Sequence, residues 1–249
     1  MITGSSSGIG RDMAYYLANL GYDLILVGRN KERLEEVKNK ISEKVKVKIV
    51  VVDLSNSQKV KELYVLTKND NIDILVNNAG FGVFGEFINT DINTELNMID
   101  VNIKALHMLT KFYLKDMVKK DKGLILNVAS SASFMAGPLL SSYYASKSYV
   151  YRLTLAIKEE LRRKKSNVHI AVLCPGPVDT NFNNRAGVTF SVKALSSEYV
   201  AKYAIDKLLK GKTIIIPGIK MKLVKFFVRF LPDKFIARLT YNIQKKKVK

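Results

Sequence analysis

Short apolar runs alternate with longer, charged, amphipathic stretches along almost the whole of this 249-residue chain. The runs cover residues 24–27, 47–52, 72–76, 124–128, 169–173 and 213–216 and are dominated by Val, Ile and Leu. Near-continuous apolar character means burial on both faces, the condition of strands in a parallel sheet. Between the runs, residues 11–20, 31–43, 57–68, 101–119 and 142–165 carry apolar side chains at helical spacing. Parallel strands joined through helices need right-handed crossovers, with helices on either side of the sheet. The chain is therefore expected to be α/β: a doubly wound parallel sheet of about seven strands with helices on both faces. The first strand is the difficulty, because only Met1 to Thr3 precede a glycine-rich turn, and a central strand usually has about five or six residues. No repeat, low-complexity linker or break in composition divides the chain. Residues 1–218 read as one Rossmann-type dinucleotide-binding and catalytic domain, and 219–249 as a basic amphipathic helical extension of it.

The turn after the first strand reads Thr3-Gly4-Ser5-Ser6-Ser7-Gly8-Ile9-Gly10 and leads into an amphipathic helix. Gly4 permits a tight turn, Gly8 lets the backbone approach a pyrophosphate, and Gly10 lets the helix pack closely on the sheet. The helix N-terminus then offers unpaired N–H groups and a positive dipole end to phosphate. Gly4, Ser5, Ser7, Gly8, Ile9 and Gly10 are thus candidate cofactor-binding residues. The spacing is G-x-x-x-G-x-G rather than the general G-x-G-x-x-G. The second strand ends Val27-Gly28-Arg29. A site for NAD would carry an acidic residue there for the ribose 2′-hydroxyl. Arg29 instead suits a 2′-phosphate, so NADP(H) is preferred over NAD(H). The alternative is that Arg29 is a solvated charge opening the next helix.

Tyr143 and Lys147 stand four residues apart on a helical segment and share one face. A neighbouring ammonium favours phenolate and lowers a tyrosine pKa from its reference of about 10, towards the working range of a general acid/base. The pair alone is a weak signal. The turn at 3–10, Asp53 after the third strand, Asn77-Asn78-Ala79-Gly80, Asn102, Ser130, Tyr143-x-x-x-Lys147 and Pro175-Gly176 follow one another in an order and spacing that is far more specific. With these marks the chain resembles the short-chain dehydrogenase/reductase family, in its compact branch, over nearly its whole length. The resemblance implies that Tyr143 exchanges the proton with the substrate oxygen and that Ser130 hydrogen-bonds the same oxygen. It implies that Lys147 holds the nicotinamide ribose and lowers the Tyr143 pKa, and that Asn102 holds a water in a proton relay. Asp53 and Leu54 would flank the adenine. Asn78, Ala79 and Gly80 would line the adenosine side, and Pro175, Gly176, Val178 and Thr180 the nicotinamide side. Tyr144 is the lesser candidate for the acid, and Ser131 and Ser133 are lesser candidates beside Ser130. The function implied is reduction of a ketone or aldehyde to an alcohol. The alternatives of the same fold are a nucleotide-binding sensor without chemistry and a membrane-associated scaffold.

The family sets substrate choice largely by the segment after Pro175-Gly176. Here that segment contains Phe182, Arg185, Gly187, Val188 and Phe190, so a lid over a hydrophobic carbonyl substrate is expected. From Ile219 onward, Met221, Leu223, Phe226, Phe227 and Phe230 alternate with Lys220, Lys222, Lys225 and Arg229. A second amphipathic piece follows Pro232, and the tail ends Lys245, Lys246, Lys247 and Lys249. Such a segment suits an anionic membrane surface or covers the cleft or a partner subunit. The net charge of +19 points to anionic partners, but no nucleic-acid module accompanies it, and nucleic acid is not expected. The resemblance implies a homo-oligomer, dimer or tetramer. Cys174 is the only cysteine and ends an apolar run, so it reads as a buried hydrophobe in a reducing compartment. His107 and His169 have no ligand-spaced partners, and no metal is expected. With no signal-peptide pattern and no apolar stretch long enough to span a bilayer, the expected location is cytoplasmic, with peripheral contact at the inner membrane surface through 219–249.

Overall fold

The computed structural model describes residues 1–180 and 194–245. The alternation resolves into β1 (Ile2–Thr3), α1 (Gly8–Asn19), β2 (Leu24–Gly28), α2 (Lys31–Asn39), β3 (Val47–Val51), α3 (Ser57–Thr67) and β4 (Ile74–Asn77). Then come α4 (Ile92–Ile99), a π-helical turn (Asp100–Ala105), α5 (Leu106–Lys120), β5 (Leu124–Val128), α6 (Ser141–Arg163) and β6 (His169–Leu173). The short strands β7 (Val178–Asp179) and β8 (Leu195–Ser196) precede α7 (Ser197–Leu209), β9 (Ile214–Ile215), α8 (Ile219–Val228) and α9 (Asp233–Lys245). Seven strands form one sheet in the order β3-β2-β1-β4-β5-β6-β9, and every neighbouring pair is parallel. This is the doubly wound sheet expected from the alternation. β7 and β8 make a separate parallel pair.

The period of two along each strand divides the core between the two faces. Leu26, Val76, Leu126 and Ala171 pack with Met13 and Leu17 of α1 and with Ile205 and Leu208 of α7. Their chain neighbours Ile25, Leu75, Ile125 and Ile170 turn the other way, onto Leu63 of α3 and Leu109 and Tyr113 of α5. β1 holds its central place with two residues, because Ile2 pairs with both Leu26 and Val76. Buried side-chain amides tie the strands to the helices beneath them. Asn77 Nδ2 donates to Asn127 Oδ1 at 2.9 Å and to Thr110 Oγ1 at 3.0 Å, and Asn127 Nδ2 donates to Thr154 Oγ1 at 3.0 Å.

One element departs from the sequence reading. The helix expected over 101–119 begins only at Leu106, because a six-residue π-helical turn joins α4 to α5. The segment after Pro217-Gly218 is two helices. Pro232, which cannot continue a helix, lies between α8 and α9. Of these, α8 buries none of its residues, whereas α9 buries Ile236, Thr240 and Gln244. Among the described residues no helix is long and apolar enough to cross a membrane.

Candidate active site

The strand order reverses between β1 and β4, and a cleft of about 860 Å³ lies over the carboxyl ends of the strands there. This is where open α/β sheets bind ligands. Its floor is assembled from successive strand ends. Ser6, Ser7 and Gly8 follow β1, Arg29 and Asn30 follow β2, Asp53 and Leu54 follow β3, and Asn78 to Gly80 follow β4. Ser130 follows β5, and Pro175, Gly176, Val178 and Thr180 follow β6.

The nucleotide end is braced by the backbone. Thr3 Oγ1 accepts from Asn78 N at 2.9 Å and from Ala79 N at 3.1 Å. Asn78 Nδ2 donates to Thr3 O and Gly4 O at 3.0 and 3.1 Å. Gly10 touches this brace: a β-carbon there would lie 2.4 Å from Asn78 Nδ2 and 2.5 Å from Gly4 O. Gly10 therefore sets the packing of α1 and does not line the cleft. Ser5 is also away from it, fully buried with its hydroxyl directed to Val27 O at 3.4 Å. Ser6, absent from the sequence expectation, lines the cleft together with Ser7, Gly8 and Ile9. Asn30, Asn56, Asp91 and Ser196 cap their helices with side-chain acceptors, but Ser7 at the N-cap of α1 makes no such bond. The first-turn N–H groups of α1 are thus left by their own cap for an anion. Arg33, in the first turn of α2 and four residues beyond Arg29, joins it on the wall. That four-residue spacing was visible in the sequence.

At the other end, α6 carries Tyr143 and Lys147 along one face into the cleft. Lys147 is only 4% exposed. Its Nζ donates to Val128 O at 3.0 Å and lies 5.8 Å from the centre of the Tyr143 ring. Burial lowers its pKa from 10.5 to about 8. Burial also pushes the Tyr143 phenol above its ordinary 10, and a hydrogen bond with Ser130 only partly offsets this. The sequence expectation had Lys147 lowering Tyr143. In the folded protein burial sets the direction instead, because it disfavours the charged forms of both groups.

Asn102 lies in the π-helical turn, fully buried behind the cleft wall rather than on it. Its Nδ2 donates to Phe81 O at 2.9 Å and Ser146 Oγ at 3.1 Å, and its Oδ1 accepts from Phe81 N at 3.1 Å. Asn102 Oδ1 and Lys147 Nζ both face Gly80, 2.8 and 3.1 Å from where a β-carbon would sit there. Ser130 accepts from Ala132 N at 3.1 Å. Of its neighbours, Ser131 lines the cleft, whereas Ser133 is turned away to donate to Lys147 O at 2.9 Å. Tyr144 also reaches the cleft, where it meets Gln244 of α9, a wall residue the sequence reading did not include. Phe182, Arg185, Gly187, Val188 and Phe190, and the tail lysines 246, 247 and 249, lie outside the described residues.

The short chain dehydrogenase family profile matches residues 1–189. The chain belongs to the short-chain dehydrogenase/reductase family. It is 36% identical over 184 residues to an uncharacterised oxidoreductase of Staphylococcus saprophyticus, covering 72% of this chain and 78% of that one. Among solved structures it is similar to a short-chain dehydrogenase from Sphingobium yanoikuyae in complex with NADPH. That match has 26% identity, a TM-score of 0.83 and 92% coverage of each chain. It shares its fold with a family member from Burkholderia phymatum in complex with NAD, at 23% identity and a TM-score of 0.82 over 92% of this chain and 90% of that one. The fold and the oxidoreductase class of this short-chain dehydrogenase are thus shown, and the family binds nicotinamide nucleotides.

The Lys147 shift has a measurable consequence. The folded pKa of about 8 lies below the unfolded 10.5, so the unfolded chain binds the proton more tightly. The penalty is complete below about pH 8 and fades as pH rises towards about 10.5. It is on the order of 3 kcal/mol, less about 1 kcal/mol for the bond to Val128 O. Lys147→Met is therefore expected to be more stable than the native protein by on the order of 2 kcal/mol at pH 7, with the gap closing by pH 10. Urea unfolding at both pH values measures this, and a variant no more stable at pH 7 would contradict it.

Proposed function

We propose that this short-chain dehydrogenase is an NADP(H)-dependent carbonyl reductase, reversible as an alcohol dehydrogenase, acting on an apolar ketone or aldehyde. The observation that carries this reading is the hydrogen-bonded Ser130–Tyr143 pair beside the buried Lys147, at the strand ends of the cleft. A bound nicotinamide supplies the hydride. The chain's own groups fit such a nucleotide. The uncapped start of α1 suits the pyrophosphate, and Arg29 with Arg33 suits a ribose 2′-phosphate better than the single Glu32 beside them suits a free hydroxyl.

Tyr143 donates its hydroxyl proton to the substrate oxygen as negative charge grows there, and Ser130 hydrogen-bonds the same oxygen. At neutral pH the phenol is the protonated, donating form, and the hydrogen bond with Ser130 counters part of the loss of acidity that burial brings. Lys147, brought to about 8, exchanges a proton near neutrality. Asn102 Oδ1, which shares the space beside Gly80, positions the relay through which that proton is restored. Residues 219–249 act as part of the same domain, because α9 supplies Gln244 to the cleft wall.

Tyr143→Phe is expected to keep its NADPH affinity, measured by fluorescence titration, and to lose roughly 100- to 10,000-fold in turnover. Retained turnover would reject the mechanism. Arg29→Ala is expected to lose roughly tenfold or more in NADPH affinity, the scale of one charge-assisted contact, with NADH affinity unchanged. Equal losses for the two nucleotides would remove the NADP preference.

A second reading concerns location. Phe226, Phe227, Phe230 and Phe235 are each more than half exposed on α8 and its continuation into α9. Lys220, Lys222, Lys225, Arg229, Lys234 and Arg238 are interleaved with them. Clustered exposed aromatics ringed by cations support peripheral contact with an anionic membrane, and with it a cytoplasmic place at the inner membrane surface. The full-length protein is expected to sediment with phosphatidylserine-containing vesicles, and the triple variant Phe226→Ser, Phe227→Ser, Phe230→Ser to stay in the supernatant. Equal sedimentation of the two would remove this reading.

A further inference from the structure

Ile236, Thr240 and Gln244 stand four residues apart on α9 and form its buried face. Ile236 is apolar, and Thr240 Oγ1 donates back to Ile236 O at 2.8 Å within the helix. Gln244 is different. It is 1% exposed, and it lines the cleft in company with Leu140, Tyr143 and Tyr144. Its Nε2 donates to the Tyr144 hydroxyl at 2.6 Å, while its Oε1 is buried with no hydrogen-bond partner among the described residues. Leaving a buried amide oxygen unpaired costs stability. A leucine or methionine at this position would meet no such penalty, so the amide calls for a reason beyond packing.

The position supplies one. The Tyr143 and Tyr144 rings are 6.2 Å apart, centre to centre, so the amide held by Tyr144 lies one side chain beyond the group assigned to the reacting oxygen. We propose that Gln244 is a specificity-determining residue whose amide hydrogen-bonds a hydroxyl group of the substrate, separate from the carbonyl that is reduced. This rests on the reductase reading above and adds the substrate class: a hydroxylated ketone or aldehyde with an otherwise apolar body.

A hydroxyl is the matching group for a chemical reason. The Tyr144 oxygen both donates and accepts, so either end of the amide can be turned to it. A hydroxyl satisfies whichever end is left. A carboxylate only accepts, so it fits one orientation of the amide alone, with Nε2 turned to it and Oε1 taking the Tyr144 hydroxyl proton. A wholly apolar substrate would leave the amide as unpaired as before. Tyr144 is then a positioning residue. Burial pushes its phenol up to about 12, so it stays neutral and keeps its bond to Gln244 across the physiological range.

The test uses the full-length protein with NADPH, a bicyclic ketone and a set of its monohydroxylated derivatives. The native protein is expected to favour at least one derivative over the parent by roughly tenfold or more in kcat/KM. Gln244→Leu is expected to bring that ratio close to one. Tyr144→Phe is expected to lower it part of the way, through KM rather than kcat. If Gln244→Leu fails to fold, Gln244→Met replaces it. Turnover with no hydroxyl preference, or a preference that survives loss of the amide, overturns this inference and leaves the reductase reading standing. NADPH binding without turnover of any ketone defeats the reductase reading, and this inference with it.

Discussion

The burial of one ammonium organises the Tyr143 end of the cleft. Lys147 sits within the contact between α6 and the sheet, and a cation there must be hydrogen-bonded or neutral. Val128 O, at the end of β5, supplies the bond, which fixes α6 against that strand end. Tyr143, one turn earlier, is thereby brought beside Ser130, two residues beyond Val128. Ser133 closes the arrangement from the same loop by donating to Lys147 O. The π-helical turn has the same logic. It places Asn102 where its amide satisfies both the N–H and the C=O of Phe81, next to the lysine. π-Bulges recur at functional sites because they re-aim one side chain at a cost the surrounding fold must offset.

The fold was legible because a parallel sheet covered on both faces leaves a strong mark. Its strands are short, β-branched and apolar throughout, and its helices are amphipathic. Strand ends were read to within two residues. The glycine turn was legible because each of its positions answers a separate steric demand, and Gly10 against Asn78 is the clearest case. What escaped depended on contacts distant in sequence. Ser5 and Ser6 are the same residue type side by side, and only the direction of β1 sends Ser5 to Val27 and Ser6 to the cleft. Nothing local distinguishes them.

Electrostatic direction was misjudged for a related reason. A tyrosine and a lysine one turn apart predict mutual stabilisation of charge, as they would on a wet helix. Burial applies to both at once. It raises the phenol and lowers the amine. The sequence shows the spacing of such a pair but not the dielectric around it.

The C-terminal helices show the same limit from the other side. Their amphipathic pattern was plain, but α9 proves to carry a mixed buried stripe beside an exposed apolar one. Ile236, Thr240 and Gln244 face the domain, while Phe235, Leu239 and Ile243 are exposed. Each exposed residue immediately precedes a buried one, so a single helical repeat writes both stripes. A helix that buries one stripe cannot roll without withdrawing Gln244 from Tyr144 and exposing Ile236. The wall of the cleft and the outer apolar surface are therefore two sides of one helix.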